Sequence, residues 1–566
     1  MTSAPPITQR RRIGEMLIDA GILTPEQVDF AVQRQKQTGR PFGEVLMDAG
    51  LVDESALAAV LSAHFDMPII DLRSIPIDEA ALRLVPETLA RERFLIPASL
   101  NDTELVLAMA FPNDEQAIKA VRERAGGREV VPRLALRSEV MLAIQQRYKV
   151  VGDVGALSET FIAERKPATA FVAPALTQIA EDAPVVQIVN LVFAQALRDR
   201  ASDIHFEPQQ DRLRVRYRID GVLHDATTLP RDVTPAVVSR IKILANLNIV
   251  EKRRSQDGQL SLTMEGRDVD IRVATVETIW GEKVVCRILD KSLAYLDLRE
   301  VGMDLAMLER HKLLIHQPYG MTLVCGPTGS GKTTTLYATL NEIDRVKKNV
   351  TTIEDPVEYV IDGITQVAIN LAVERTFAQG LRALLRQDPD VILVGEIRDS
   401  DTAEIASNAA LTGHLVISSI HANDAIGAIL RIIDLGVDRT LVTSTLLSVA
   451  AQRLVRKIDT HCRIEVSATA AEQAVLQKAG IEADSVYAGP GCNYCAGTGF
   501  YGRIGIFELL AMSDELRHLI NTGAPSQQVR DRALAEGMTT MRQDGLRKAA
   551  RGITTVAEAL SVLQTT

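Results

Sequence analysis

The sequence predicts an α/β protein organised around a parallel sheet, with smaller α/β units ahead of it. Three observations carry this expectation. Between residues 300 and 450 the runs MTLVC, VTTIE, DVILVG and HLVISSI are short, apolar and separated by helix-like segments, as buried parallel strands are. GPTGSGKTT (326–334) follows the first run and opens the helix-like stretch TTTLYATLNEI. RLRVRYRIDG (212–221) alternates charged and apolar residues, the period of a half-buried strand.

A chain of 566 residues exceeds one core, so about three to five domains are expected. Net charge is −10, which argues against broad nucleic-acid binding because that needs a basic face. A single Trp280 and 4% aromatics leave little for base stacking. Five cysteines in this length make no disulfide framework, which points to a reducing compartment. MTSAPPITQRRR has no apolar core of a signal peptide, and no run reaches the length of a membrane span. A cytoplasmic protein is expected, meeting membranes only through partners.

Residues 1–67 contain a repeat. RIGEMLIDAGILTPEQVDFAVQRQ (12–35) aligns with PFGEVLMDAGLVDESALAAVLSAH (41–64) at an offset of 29. Apolar residues recur at three and four in each copy, so each predicts a short helix pair, with Thr24 and Asp53 capping the second helices. Residues 68–148 mix strands (LVLAMA, VVPRLAL) with helices as a small α/β domain. Residues 149–181, with ERKPATAFVAPAL, read as a linker. A second α/β unit spans 182–295, the parallel core 296–455, a cysteine lobe 456–508 and terminal helices 509–566.

GPTGSGKTT is a complete G-x-x-x-x-G-K-[ST] loop between a strand and a helix, the context that makes the pattern specific. Gly326, Pro327, Thr328, Gly329, Ser330, Gly331 and Thr334 would line the phosphate site, with the loop's backbone N–H groups, Pro327 excepted, converging on phosphate oxygens. Lys332 would reach the β- and γ-phosphates, and the Thr333 hydroxyl would ligate Mg²⁺. DVILVGEIRD ends a strand in Glu396, placed to hold Mg²⁺ through water. TIEDPVEY ends another in Glu354, Asp355 and Glu358, and a carboxylate at such an edge faces the nucleotide crevice. His414 and His421 bracket HLVISSI; either they report the γ-phosphate state or they make structural hydrogen bonds. Cys492 and Cys495 form a Cys-x-x-Cys beside glycines, a metal knuckle or a redox pair, and the redox reading lacks a thioredoxin-like context.

GPTGSGKTTT, TIEDPVEY, RQDPDVILVGEIRD, TGHLVISSIHAND and GCNYCAGTGFYGRIGIFE together resemble the type II secretion and type IV pilus assembly ATPases. SDIHFEPQQDRLRVRYRIDG and EKRRSQDGQ match the domain before the motor, so the resemblance runs from about residue 12 to the end. It implies a RecA-like P-loop NTPase motor preceded by a PAS-like α/β domain, an N-terminal helical and α/β domain, and a small zinc-knuckle lobe. It implies a homo-hexamer that hydrolyses ATP with Mg²⁺ and drives pilus or pseudopilus assembly. The partners would be an inner-membrane platform protein and a membrane-bound docking protein. Carried over, Glu358 is the water-activating base and Glu396 the acid on the Mg²⁺ side. Arg272 and Arg287 are the arginines aimed at the γ-phosphate, with Arg216 and Arg218 behind them.

The family's first cysteine pair falls on IDTHC (458–462), where Asp459 stands in place of a cysteine. The implied zinc ligands are Asp459, Cys462, Cys492 and Cys495, with His461 as a substitute for the aspartate. The N-terminal repeat resembles a cyclic di-GMP-binding domain through Arg12, Gly14, Gly21 and Gln35. Its second copy departs, with Pro41 and His64 at the arginine and glutamine positions. A helical adaptor docking a membrane partner is the other reading. Three other readings compete with assembly: a retraction motor, disfavoured because such motors generally lack both this long N-terminal region and the cysteine lobe; a nucleic-acid translocase or conjugation-type ATPase; and a regulatory module with a degenerate site.

Overall fold

The computed structural model describes residues 13–38, 42–65, 67–72, 75, 77–111, 114–148, 158, 183–264, 267–290, 295–370, 373–492 and 494–563. Apart from Ser158, the linker 149–181 lies outside them, as does Arg12.

Four helices open the described chain: Ile13–Asp19, Pro25–Thr38, Phe42–Asp48 and Glu54–Phe65. The same packing occurs in both copies of the repeat. A Cβ on Gly14 would lie 2.8 Å from Val28 Cγ1, and one on Gly43 would lie 3.0 Å from Leu57 Cδ2. The small residue lets the two helices of each pair close on one another. Thr24 accepts the N–H of Gln27 at 3.4 Å and Asp53 that of Ala56 at 2.7 Å, the caps the sequence predicts.

Strands β1 (Leu95–Leu100), β2 (Glu104–Met109) and β3 (Glu129–Leu134) form the next sheet, β1–β2 antiparallel and β2–β3 parallel. A six-stranded antiparallel sheet follows, ordered β6-β5-β4-β9-β8-β7. Its strands are β4 (Asp203–Pro208), β5 (Arg212–Ile219), β6 (Val222–Pro230), β7 (Gln256–Met264), β8 (Arg267–Thr278) and β9 (Gly281–Leu289). Helices Pro184–Arg198 and Thr234–Leu244 bury their apolar stripes with this sheet in one core around Phe193, Phe206 and Tyr217.

The largest sheet has seven strands, ordered β12-β11-β13-β14-β10-β15-β18. They are β10 (Gly320–Cys325), β11 (Val350–Glu354), β12 (Thr365–Ala368), β13 (Val391–Val394), β14 (Leu415–Ile420), β15 (Leu446–Ile458) and β18 (Phe500–Ala511). Every pairing is parallel except β15–β18. Central β10 is buried throughout and alternates its side chains between two cores: Met321, Leu323 and Cys325 into one, Val324 into the other.

β15 runs through residue 455 and β18 through residue 508, so both edges of the cysteine lobe are strands of the main sheet. The lobe is an insertion between them, holding the small antiparallel pair β16 (Ile464–Ser467) and β17 (Ser485–Ala488). The helix Met541–Ala550 packs on β18 through a buried ion pair. Asp544 accepts the Phe507 N–H at 2.8 Å, and Lys548 reaches both Asp544 at 2.5 Å and the Gly505 carbonyl at 2.8 Å. Among the described residues, no helix is long and apolar enough to cross a membrane.

Candidate nucleotide and metal sites

The parallel strands end on one edge, and their following loops meet there. β10 delivers the P-loop. Gly326 has a φ of 155° and its missing Cβ would lie 2.5 Å from the Gln452 carbonyl, so only glycine passes. Gly331, at φ 88°, starts the helix Lys332–Asn341. The Lys332 ammonium donates to the carbonyls of Gly326 and Pro327, both at 2.9 Å. Burial lowers its pKa, opposed by the charge of Glu396. Phosphate oxygens arriving in the loop would take over those two hydrogen bonds. The Ser330 hydroxyl is buried and has no partner among the described residues.

β13 delivers Glu396 and β14 delivers His421. Glu396 pairs with Arg398 and lies 3.4 Å from His421 Nε2. Arg398 also reaches Asp355 at 3.6 Å, beyond the end of β11. Thr333, exposed in the first turn of the P-loop helix, and Glu396 offer one hydroxyl and one carboxylate. With water and phosphate oxygens, that is the all-oxygen set Mg²⁺ takes.

β11 delivers the acidic loop. Glu354 is buried and committed: Tyr337 donates to it, as do Thr352 at 2.6 Å and Gln366 at 3.2 Å. It braces the strand end. Glu358 lies farther along and meets Arg272 of β8, whose Nη1 is 2.9 Å from Glu358 Oε2 and whose Nη2 donates to the Val357 carbonyl at 2.9 Å. A residue of β8 and a loop residue beyond β11 are thus brought together as one pair.

Other candidates are placed elsewhere. Arg287 is the register neighbour of Arg272 on β9, but it pairs with Asp203 at 2.9 Å. Arg218 also leans on Asp203, at 3.7 Å, and Arg216 makes a bidentate pair with Glu207 at 2.8 and 2.9 Å. His414 is not brought to the site. It precedes β14 while His421 follows it, about 20 Å along the strand. Its ring Nδ1 sits 3.0 Å from the Ala409 carbonyl, the structural alternative of the two.

In the lobe, Asp459, Cys462, Cys492 and Cys495 place one ligand atom each within 4.8 Å of one another. The sulfur of Cys495 lies 4.0 Å from that of Cys462 and 3.8 Å from that of Cys492. Zinc–sulfur bonds of about 2.3 Å in a tetrahedron put sulfurs about 3.8 Å apart, so the set fits zinc. Cys492 Sγ lies 3.0 Å from Asp459 Oδ2. Backbone N–H groups of Cys492 and Gly499 both point at Cys495 Sγ, at 3.1 Å, as they do around a thiolate. His461 is not a fourth ligand. Its Nδ1 is 2.8 Å from Asp459 Oδ1 and its ring stacks on Tyr494 at 3.8 Å, so it holds the aspartate from behind. Burial pushes the Asp459 carboxyl up, but hydrogen bonds from Cys492 and His461 outweigh it and the pKa is lowered.

At the N-terminal unit, Gly21 takes φ 69° in the turn between the first two helices. Gln35 lines a cavity of about 310 Å³ shared with Phe42, Phe65, Phe111 and Arg137. The Arg137 guanidinium stacks on Phe94 at 4.1 Å.

A parallel sheet whose edge gathers a P-loop lysine, two strand-end glutamates and an arginine from a neighbouring domain defines a nucleotide-hydrolysing motor domain. The family model for type II/IV secretion system proteins matches residues 178–561, and this chain belongs to that family and is an ATPase. The MshEN domain model matches residues 65–153, largely the three-stranded unit. The chain is 38% identical over 563 residues to the type IV pilus assembly ATPase PilB of Myxococcus xanthus, covering 97% of this chain and 98% of that one. It is 40% identical over 562 residues to type II secretion system protein E of Xanthomonas campestris pv. campestris, covering 98% of each. The ATPase DotB of Legionella pneumophila shares the fold at a TM-score of 0.50 and 19% identity, over 67% of this chain and 95% of that one.

Proposed function

We propose that this chain is the hexameric ATPase that powers pilus or pseudopilus assembly by acting on a membrane platform protein, held at the membrane by partners. The observation that carries the mechanism is the pair Arg272–Glu358. In it, an arginine of the preceding domain touches the glutamate best placed to take a proton from the attacking water. Lys332 would hold the β- and γ-phosphates, and Glu396, steadied by Arg398 and His421, would stand on the metal side. Mg²⁺ supplies neutralisation of phosphate charge when bound. Arg272 then has two alternative anions, Glu358 and the γ-phosphate. Exchanging one for the other couples hydrolysis to movement of the six-stranded domain.

The lobe's Asp459, Cys462, Cys492 and Cys495 would hold a structural zinc, tying β15 to β18 at their far ends. The N-terminal repeats are assigned to docking a membrane partner. Among the described residues the cavity at Gln35 offers one guanidinium, that of Arg137, already stacked on Phe94, for the two phosphates of cyclic di-GMP; Arg12 lies outside them. Calorimetric titration with cyclic di-GMP tests that assignment; binding at micromolar concentration would replace it.

The motor reading is tested by ATP turnover across protein concentrations, with native mass measured in parallel. Turnover per chain should rise as hexamers form and vanish in Lys332→Ala and Glu396→Gln. Stimulation by DNA would favour the translocase reading instead.

A further inference from the structure

The loop that carries Glu358 leaves β11 at Glu354 and enters β12 at Thr365. One side chain beneath it belongs to neither strand. Tyr337 lies five residues beyond Lys332 on the P-loop helix and is wholly buried. Its hydroxyl donates to Glu354, and its oxygen accepts the Glu358 N–H at 3.3 Å. Gln366, half-buried on the edge strand β12, holds the same loop farther along. Its Oε1 accepts the Ile361 N–H at 2.8 Å, and its Nε2 donates to the Tyr359 carbonyl at 3.0 Å and to Glu354 at 3.2 Å. Tyr337 and Gln366 thus meet on one carboxylate. Between them they fasten the loop's backbone at Glu358, Tyr359 and Ile361.

The direction of each bond follows from donor chemistry. A hydroxyl has one proton to give, and a carboxylate can accept from several donors. Glu354 takes the Tyr337 proton together with those of Thr352 and Gln366, which leaves the Tyr337 lone pairs for the Glu358 N–H. The ring is fixed as well: it meets Tyr359 edge-on at 6.0 Å and packs on buried Ile361. At a rise of about 1.5 Å per residue, the Tyr337 backbone stands about 7.5 Å along the helix from Lys332. The lysine that would grip phosphate and the hydroxyl that holds the loop therefore ride on one rigid element. Arg272 holds Glu358 from the other side, through its carboxylate. That hold is lost once Arg272 turns to the γ-phosphate; the bond to Tyr337 does not depend on it.

We propose that Tyr337 and Gln366, joined through Glu354, are positioning residues for Glu358: they fix it relative to the P-loop helix while Arg272 exchanges one anion for the other. This rests on the reading of Glu358 as the group that takes the proton from the attacking water.

The test is single-turnover ATP hydrolysis by hexamers of the full chain, with ATP affinity measured on the same protein. Tyr337→Phe keeps the ring and removes the hydroxyl. It is expected to slow hydrolysis at least about tenfold while ATP affinity stays within about twofold of wild type. A hydroxyl that acts only through Glu358 has nothing left to position once that carboxylate is gone. Adding Tyr337→Phe to Glu358→Gln should therefore change the residual rate by less than about twofold. Gln366→Met is measured in the same way, and decides the matter if Tyr337→Phe does not assemble. A wild-type rate in either variant, or a loss of equal size with and without the Glu358 carboxylate, would overturn the proposal and leave the network a structural brace. Wild-type hydrolysis by Glu358→Gln itself would overturn the reading of Glu358 as the base, and the proposal with it.

Discussion

Arg272, on β8 of the six-stranded sheet, and Glu358, beyond β11 of the motor sheet, form an ion pair of 2.9 Å. In the proposed mechanism the pair would link the six-stranded domain to the carboxylate that takes the proton from the attacking water. Arg272→Ala is expected to cut ATP turnover by at least about a hundredfold. Arg287→Ala, whose partner is Asp203, is expected to cost far less. Steady-state turnover of the two variants at equal hexamer concentration checks the contrast.

The cysteine lobe should contain one zinc per chain by metal analysis. Cys492→Ser is expected to lose it. His461→Ala should keep the metal but bind it about tenfold more weakly in a chelator competition, because Asp459 loses the ring that orients it. Retention of wild-type affinity would show that the aspartate needs no support.

Glu207 gives the six-stranded sheet an acid limit. Burial raises its pKa, but Arg216 and Lys283 lower it further, to about 2 from 4.5. A lowered carboxylate contributes stability that is complete above its unfolded pKa and is lost as pH falls through the folded one. Urea midpoints of the wild type should therefore fall between pH 4.5 and 2. Glu207→Gln should be less stable at neutral pH and should lose less across that window.

Lys548 and Asp544 are both buried, and each satisfies a backbone group of β18. Lys548→Met leaves a buried carboxylate without its partner, at a cost of about 3–5 kcal/mol in urea unfolding. The double variant with Asp544→Asn should recover part of that loss, since the stranded charge is gone.

The sequence makes local features plain and long-range ones obscure. The P-loop and the strand-end acids are readable because strand, loop and helix are contiguous. The helix pairs of the repeat are readable because Gly14 and Gly43, with Val28 and Leu57, recur at one spacing. His414 and His421 look equivalent in TGHLVISSIH, yet a six-residue strand separates its ends, so only one faces the crevice. Arg287 looks equivalent to Arg272, but its commitment to Asp203 depends on the pairing of β4 with β9. Arg398 was missed beside Glu396, although a charge two residues past a strand-end acid is a usable signal. The expected edges of the lobe, 456 and 508, fall inside β15 and β18, whose pairing joins residues as distant as Ser448 and Ala511. No local pattern joins Tyr337 to Glu358; only the fold brings them together.

Glu358→Gln is the most direct test of the account. Single-turnover hydrolysis should be measured with preformed hexamer and saturating ATP, beside an equilibrium binding curve for the same protein. The account predicts ATP affinity close to wild type and a hydrolysis step slowed by about two to four orders of magnitude, the contribution of a positioned base. Hydrolysis at the wild-type rate would contradict it and leave the Arg272 pair as a structural contact between two domains.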